Sequence, residues 1–157
     1  MSTHIPAPVA TASDLSGLRV AIITARWNAH ITDELLAGAL AELAAAGVPE
    51  ANITSLRVPG AVELVNAAAH IVERGSADAV IVFGCVVRGD TPHFDYVCQS
   101  VTQGVTALNS RGTTPVIFGL LTVNTEKQAF ERIGGPHGHK GREAAQAAIE
   151  MATLWND

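Results

Sequence analysis

The chain has little of what several catalytic and binding classes require. It carries two cysteines, Cys85 and Cys98, in 157 residues, and neither lies in a CxxC pair. That argues against a disulfide scaffold and against a thiolate zinc site. Charged residues make up 16% of the chain and the formal net charge is -5. Nucleic-acid binding needs a basic surface to neutralise phosphates, so this class is disfavoured, while a local basic pocket for a small anion stays compatible. No apolar run approaches the length that spans a bilayer. The first residues, MSTHIPAPVATASDLSG, hold no basic stretch followed by an apolar one. Together these absences predict a cytoplasmic protein with reduced thiols and with neither membrane nor nucleic acid as a partner. No GxGxxG follows the first apolar run, and neither GxxxxGK[ST] nor GxSxG occurs. A nucleotide-cofactor enzyme and a serine hydrolase are therefore disfavoured. His137 and His139 form an HxH in a Gly-rich turn without an evident third ligand, so no metal site is expected.

What is present is apolar: 48% of residues, enough for one well-buried domain at this length. Residues 1–17, rich in Pro, Ala, Ser and Thr, read as an extended arm, and residues 18–157 as a single domain. Strand and helix patterns alternate after the arm. Short apolar runs at 18–23, 53–58, 79–87 and 115–121 suit buried parallel strands. Helical spacing marks 31–46, 61–74 and 92–109, with Gly47 and Gly75 as stops. Asn124 is expected to cap a short helix running to about 133, and the turn GGPHGHKG leads to a last helix over 142–154. Strands separated by helices imply parallel pairing with right-handed crossovers, and hence a doubly wound sheet covered on both faces.

In such sheets ligands bind beyond the carboxyl ends of the strands. Ala25-Arg26-Trp27-Asn28, Pro59-Gly60-Ala61-Val62-Glu63, Arg88-Gly89-Asp90-Thr91-Pro92-His93 and Phe118-Gly119 are expected to meet on that rim. Thr91 followed by Pro92 is a good helix start, and the free N–H groups of a first helical turn favour an anion. Asp90 opposes one, and Arg88 stands beside it to offset that charge. The positive end of a helix disfavours imidazolium, so His93 is placed to accept a proton. A capped helix without a ligand and a solvated histidine fit the same residues. Aromatics are only 4% of the chain, so Trp27 in a loop is conspicuous. It fits a platform for a planar heterocycle and equally a loop anchor. Glu63 suits a helix start on electrostatic grounds alone, and suits ligand hydroxyls as an acceptor.

Four blocks in order, ARWN at 25–28, VPGAVEL at 58–64, GCVVRGDTPHFDYV at 84–97, and GLLTVNTEKQAFER at 119–132 followed by HGHKG at 137–141, resemble the lumazine synthase family. The resemblance covers the chain beyond the arm. It implies a flavodoxin-like three-layer sandwich with a four-stranded parallel sheet, the arm adding to a neighbouring subunit's sheet. It implies condensation of 5-amino-6-(D-ribitylamino)uracil with 3,4-dihydroxy-2-butanone 4-phosphate to 6,7-dimethyl-8-ribityllumazine, without metal or organic cofactor. By position it assigns Trp27, Ala61, Val62, Glu63, Cys85, Val86, Val87 and Phe118 to the pyrimidine and ribityl chain. It assigns Asp90, Thr91, Arg132 and Lys140 to the phosphate, and His93 to proton transfer. Phe118 and Arg132 are implied to come from a neighbouring subunit. A homopentamer is the smallest implied unit; a sixty-subunit shell and riboflavin synthase as a partner stay open. Trp27 stands where the family usually has Phe. The competing reading is a non-catalytic flavin- or lumazine-binding, or shell-forming, protein on the same fold. Retention of both His93 and Arg132 favours the enzyme.

Overall fold

The structure, a computed structural model, describes residues 14–156. Four strands, β1 (Val20–Ala25), β2 (Ile53–Val58), β3 (Ala79–Val87) and β4 (Val116–Val123), form one parallel sheet in the order β2-β1-β3-β4. Five helices accompany them: α1 (Ala29–Ala46), α2 (Glu63–Arg74), α3 (His93–Asn109), the short α4 (Glu126–Phe130) and α5 (Lys140–Thr153). Among the described residues no helix is long and apolar enough to cross a membrane.

The period of two along each strand divides the core into two layers. Val20 and Ile22 of β1, with Ile81 and Phe83 of β3, face α1 and α5, where Ile31, Leu35, Leu43, Ala145 and Ile149 close the packing. Ala21 and Ile23, with Val80 and Val82, face α2 and α3, where Leu64, Ala68, Val101 and Val105 are buried. This is the three-layer sandwich implied by the resemblance, and it explains why β3 is apolar on both faces. Each large side chain buried here contributes roughly 1.5–3 kcal/mol.

Three local expectations change. Leu15 is buried in the α1/α5 layer and the Leu18 N–H donates to its carbonyl at 3.1 Å, so residues 14–17, read as the end of the arm, already carry a core side chain. Residues 1–13 lie outside the described ones. The cap of α4 is Thr125, not Asn124: its hydroxyl accepts the Gln128 N–H, and the Gln128 side chain accepts the Thr125 N–H in return. That helix ends at Phe130. The Gly-rich turn folds as a two-stranded antiparallel hairpin, β5 (Ile133–Gly135) and β6 (Gly138–His139), which delivers the chain into α5 two residues earlier than its apolar spacing suggests.

Candidate active site

β1 lies between β2 and β3, so the connections from β1 and from β3 leave in opposite directions along the sheet and open a crevice beyond their carboxyl ends. A cleft of about 470 Å³ occupies it. Trp27 and Asn28 enter from the turn after β1, and Ala61, Val62 and Glu63 from the start of α2. Cys85, Val86 and Val87 come from the end of β3, and His93 from the first turn of α3. Eight of the residues assigned from sequence thus converge on one cavity. Its walls are apolar apart from Glu63, Asn28 and His93, the composition suited to a flat heterocycle bearing a polar chain.

The side chains in this cleft are positioned by ordinary local chemistry. Trp27 is 64% exposed, although its backbone N–H donates to the Pro59 carbonyl at 3.0 Å. His93 opens α3, and its N–H donates to the Thr91 hydroxyl at 3.4 Å. Burial and the nearby Glu126 carboxylate push the Cys85 thiol up to about 11. Cys85 is therefore a neutral wall at pH 7, with no thiolate to attack a substrate.

Asp90 and Thr91 stand on the loop between β3 and α3, exposed beside His93. Arg88 does not offset Asp90. Its guanidinium donates to the Asn124 side chain at 2.8 Å, lies 3.5 Å from Asp95 and covers the Phe94 ring at 4.3 Å.

Phe118, Arg132 and Lys140 are not in this cleft. They line a second cavity, about 430 Å³, along the free edge of β4 beside α5. The two cavities share no lining residue. Phe118 was expected at the strand-end rim; it sits in mid-strand opposite Val82, because the apolar run of β4 continues to Val123. Arg132 donates to the Gln128 carbonyl at 2.7 Å, and its own carbonyl accepts the Lys140 N–H at 2.9 Å. The Lys140 ammonium pairs with Glu143 at 3.2 Å. A basic pair fit for an anion and an exposed aromatic thus share the β4 edge, while His93 lines the strand-end cleft.

Sequence reasoning placed Asn28 on the rim without giving it a role and passed over Val97, Gln128 and Glu143, all of which line the two cavities. Asn28 carried a signal, since Asn in a short strand-to-helix turn tolerates a left-handed backbone. Val97 and Glu143 read as ordinary helix residues. His137 faces Glu131 at 3.6 Å and His139 caps α5. Among the described residues no three of His, Cys, Asp and Glu gather as a metal set.

Residues 17–156 match the family model of 6,7-dimethyl-8-ribityllumazine synthase. A 6,7-dimethyl-8-ribityllumazine synthase of Porphyromonas gingivalis is 56% identical over 87% of this chain and 85% of its own. One from Micrococcus luteus is 54% identical over 94% and 89%, and one from Salinibacter ruber 46% identical over 98% and 96%. With a family model spanning nearly the whole chain and relatives this similar over most of their length, the chain belongs to the 6,7-dimethyl-8-ribityllumazine synthase family.

Proposed function

We propose that the strand-end cleft of one copy and the β4 edge of another form a single site for the family reaction. The chain is a transferase of riboflavin biosynthesis. It condenses 5-amino-6-(D-ribitylamino)uracil with 3,4-dihydroxy-2-butanone 4-phosphate to 6,7-dimethyl-8-ribityllumazine, releasing phosphate and water. The observation that carries the two-copy site is the division of labour. Trp27, Glu63 and His93 line one cavity while Phe118, Arg132 and Lys140 line another.

In this reading the uracil ring lies against Trp27 and the Cys85–Val87 strand end, and Ala61, Val62 and Glu63 receive the ribityl chain, Glu63 accepting from its hydroxyls. The neighbour's Phe118 covers the ring. The phosphate meets the backbone of Asp90 and Thr91 at the start of α3, with Arg132 and Lys140 brought by the neighbour. The 5-amino group attacks the ketone carbonyl, and water leaves as the imine forms. Phosphate departs as its C–O bond breaks, and the ribityl-bearing nitrogen closes the ring with loss of a second water. Each step moves a proton, and His93, beside both substrates, gives and takes it. No covalent enzyme nucleophile is needed; orientation and a preformed cationic site for the leaving group supply the rest.

The two half-sites are different surfaces, so their contact is head-to-tail, which generates a ring where the rotation between copies closes. A ring of five is the assembly proposed, with a sixty-subunit shell and contact with riboflavin synthase as larger assemblies of it. The domain is proposed to start with residues 14–17, whose Leu15 is in its core, rather than at residue 18; the rest of the arm read from sequence lies outside the described residues. The proposed setting is the cytoplasm, where the free thiols of Cys85 and Cys98 stay reduced. Mixing the purified protein with both substrates and following lumazine absorbance tests the activity. Turnover well above the uncatalysed condensation is expected, and none above it would sink the reading. Sedimentation separates pentamer from shell.

A further inference from the structure

The turn between β1 and α1 is pinned from three sides. The Arg26 and Trp27 N–H groups donate to the Val58 and Pro59 carbonyls at the exit of β2, at 2.8 and 3.0 Å. On the other side the Asn28 carboxamide donates to the Cys85 carbonyl at 2.8 Å. β1 pairs with β3 only as far as Thr24 and Phe83, so this side-chain amide supplies the donor that β1 no longer offers to the end of β3. From behind, the Thr32 hydroxyl donates to the Ala25 carbonyl at 2.8 Å.

Asn28 is also the one non-glycine residue with positive φ among the described residues, at φ 60° and ψ 43°. A left-handed backbone costs an ordinary side chain about 1–2 kcal/mol, and Asn tolerates it best among residues with a Cβ. Its carbonyl accepts the Ile31 and Thr32 N–H groups at 2.9 and 3.0 Å and so starts α1. Immediately before this reversal, the Trp27 ring lies across Gly60, where a Cβ would fall 2.3 Å from the indole Cε3. An aromatic 64% exposed to solvent is thereby given a fixed backbone on one side and a flat floor beneath.

We propose that Asn28 is a positioning residue for the planar substrate: its left-handed turn lays Trp27 over Gly60, and its carboxamide locks that turn to the β3 end that forms the facing wall. The cleft's width is then set by one hydrogen bond between its two walls, Asn28 to Cys85. The inference rests on the reading that this cleft takes the ribitylaminouracil. It concerns the uracil and not the butanone phosphate, whose proposed cations lie on another edge.

The test uses Asn28→Gly, which keeps the left-handed backbone and loses the amide, and Asn28→Asp, which keeps size and backbone and replaces the donor by an acceptor. Both are made in a Trp155→Phe background, where Trp27 is the sole indole; Trp155 is exposed at the far end of α5. KM for the ribitylaminouracil is expected to rise by roughly three- to tenfold, the factor carried by one lost hydrogen bond. KM for the butanone phosphate should stay close to the parent's, and the melting temperature should fall by only about a few degrees, the cost of one lost hydrogen bond. Trp27 fluorescence anisotropy in the free protein is expected to fall. An unchanged KM for the uracil with unchanged anisotropy overturns the proposal, and so does an equal rise in both KM values. Should Asn28→Gly not fold, the isosteric Asn28→Asp decides alone. Anisotropy is read without turnover, so a parent that forms no lumazine sinks the functional reading while the positioning role is still judged.

Discussion

His93 stands at the first turn of α3 on the wall of the strand-end cleft, one residue past the proline that starts the helix. Exposed to solvent and held by its backbone to Thr91, the imidazole can exchange protons with water between steps. Replacing His93 by Ala should lower kcat by about a hundred- to ten-thousandfold, the usual worth of general acid–base catalysis, with the ribitylaminouracil still bound. A steady-state assay with binding followed by Trp27 fluorescence checks this, and an undiminished kcat removes His93 from proton transfer. Arg132 is argued separately, because its guanidinium lies in the other cavity. Arg132→Ala should raise KM for the butanone phosphate by about ten- to a hundredfold, the worth of a charge-assisted hydrogen bond. KM for the uracil should change far less, and equal rises in both would contradict a phosphate contact. Trp27, Glu63 and His93 were legible in the sequence because strand ends and helix starts announce where such side chains go. Asn28 was legible as a rim residue but not as the tie between the two walls, because that role depends on a backbone reversal and on a carbonyl 57 positions away.

At the scale of elements, the four strands and the long helices were readable because buried parallel strands and amphipathic helices carry different periods. The segment between β4 and α5 was not. Its turns are governed by side-chain caps and a glycine hairpin, which leave no period. His139 illustrates this: an HxH that suggests metal is instead the cap of α5, its Nδ1 accepting the Arg142 N–H at 3.3 Å. Its ring fills the notch above Gly38 of α1, where a Cβ would fall 2.1 Å from the ring Cε1. Only the neutral ring can accept that hydrogen bond. Burial first, and then Arg142, hold its pKa below the usual value, against the opposing pull of Glu34 and Glu143. The sign follows: the unfolded chain takes up this proton more readily, so the His139 contribution is intact above about pH 6.5 and is lost as pH falls through that value towards the lower folded one. The melting temperature should therefore drop between pH 7 and pH 5, and His139→Asn, which can still cap a helix, should reduce that drop. Identical pH dependence in the two proteins would show that the cap does not titrate.

At the scale of the whole molecule, the described residues present two separate cavities, one beyond the strand ends and one along the β4 edge. The strand-end cleft holds the aromatic platform, the carboxylate and the histidine, while the β4 edge holds an aromatic and two cations beside α5. His93 and Arg132 of one copy line different cavities that share no residue. Strand-end reasoning alone put Phe118 on the rim, whereas the register places it in mid-strand; only the family resemblance implied that Phe118 and Arg132 come from a neighbouring subunit. Complementation between two crippled proteins tests the shared site most directly. His93→Ala and Arg132→Ala, each nearly inactive alone when assayed at a butanone phosphate concentration near the parent's KM or below, are dissociated, mixed in equal amounts and reassembled. In a head-to-tail ring with random order, about a quarter of the sites join an intact cleft to an intact edge. Lumazine formation should therefore recover to about a quarter of the parent's rate in the mixture and in neither protein alone. Mixed oligomers that form and still show no recovery would place both residues in a site within one copy and contradict the account.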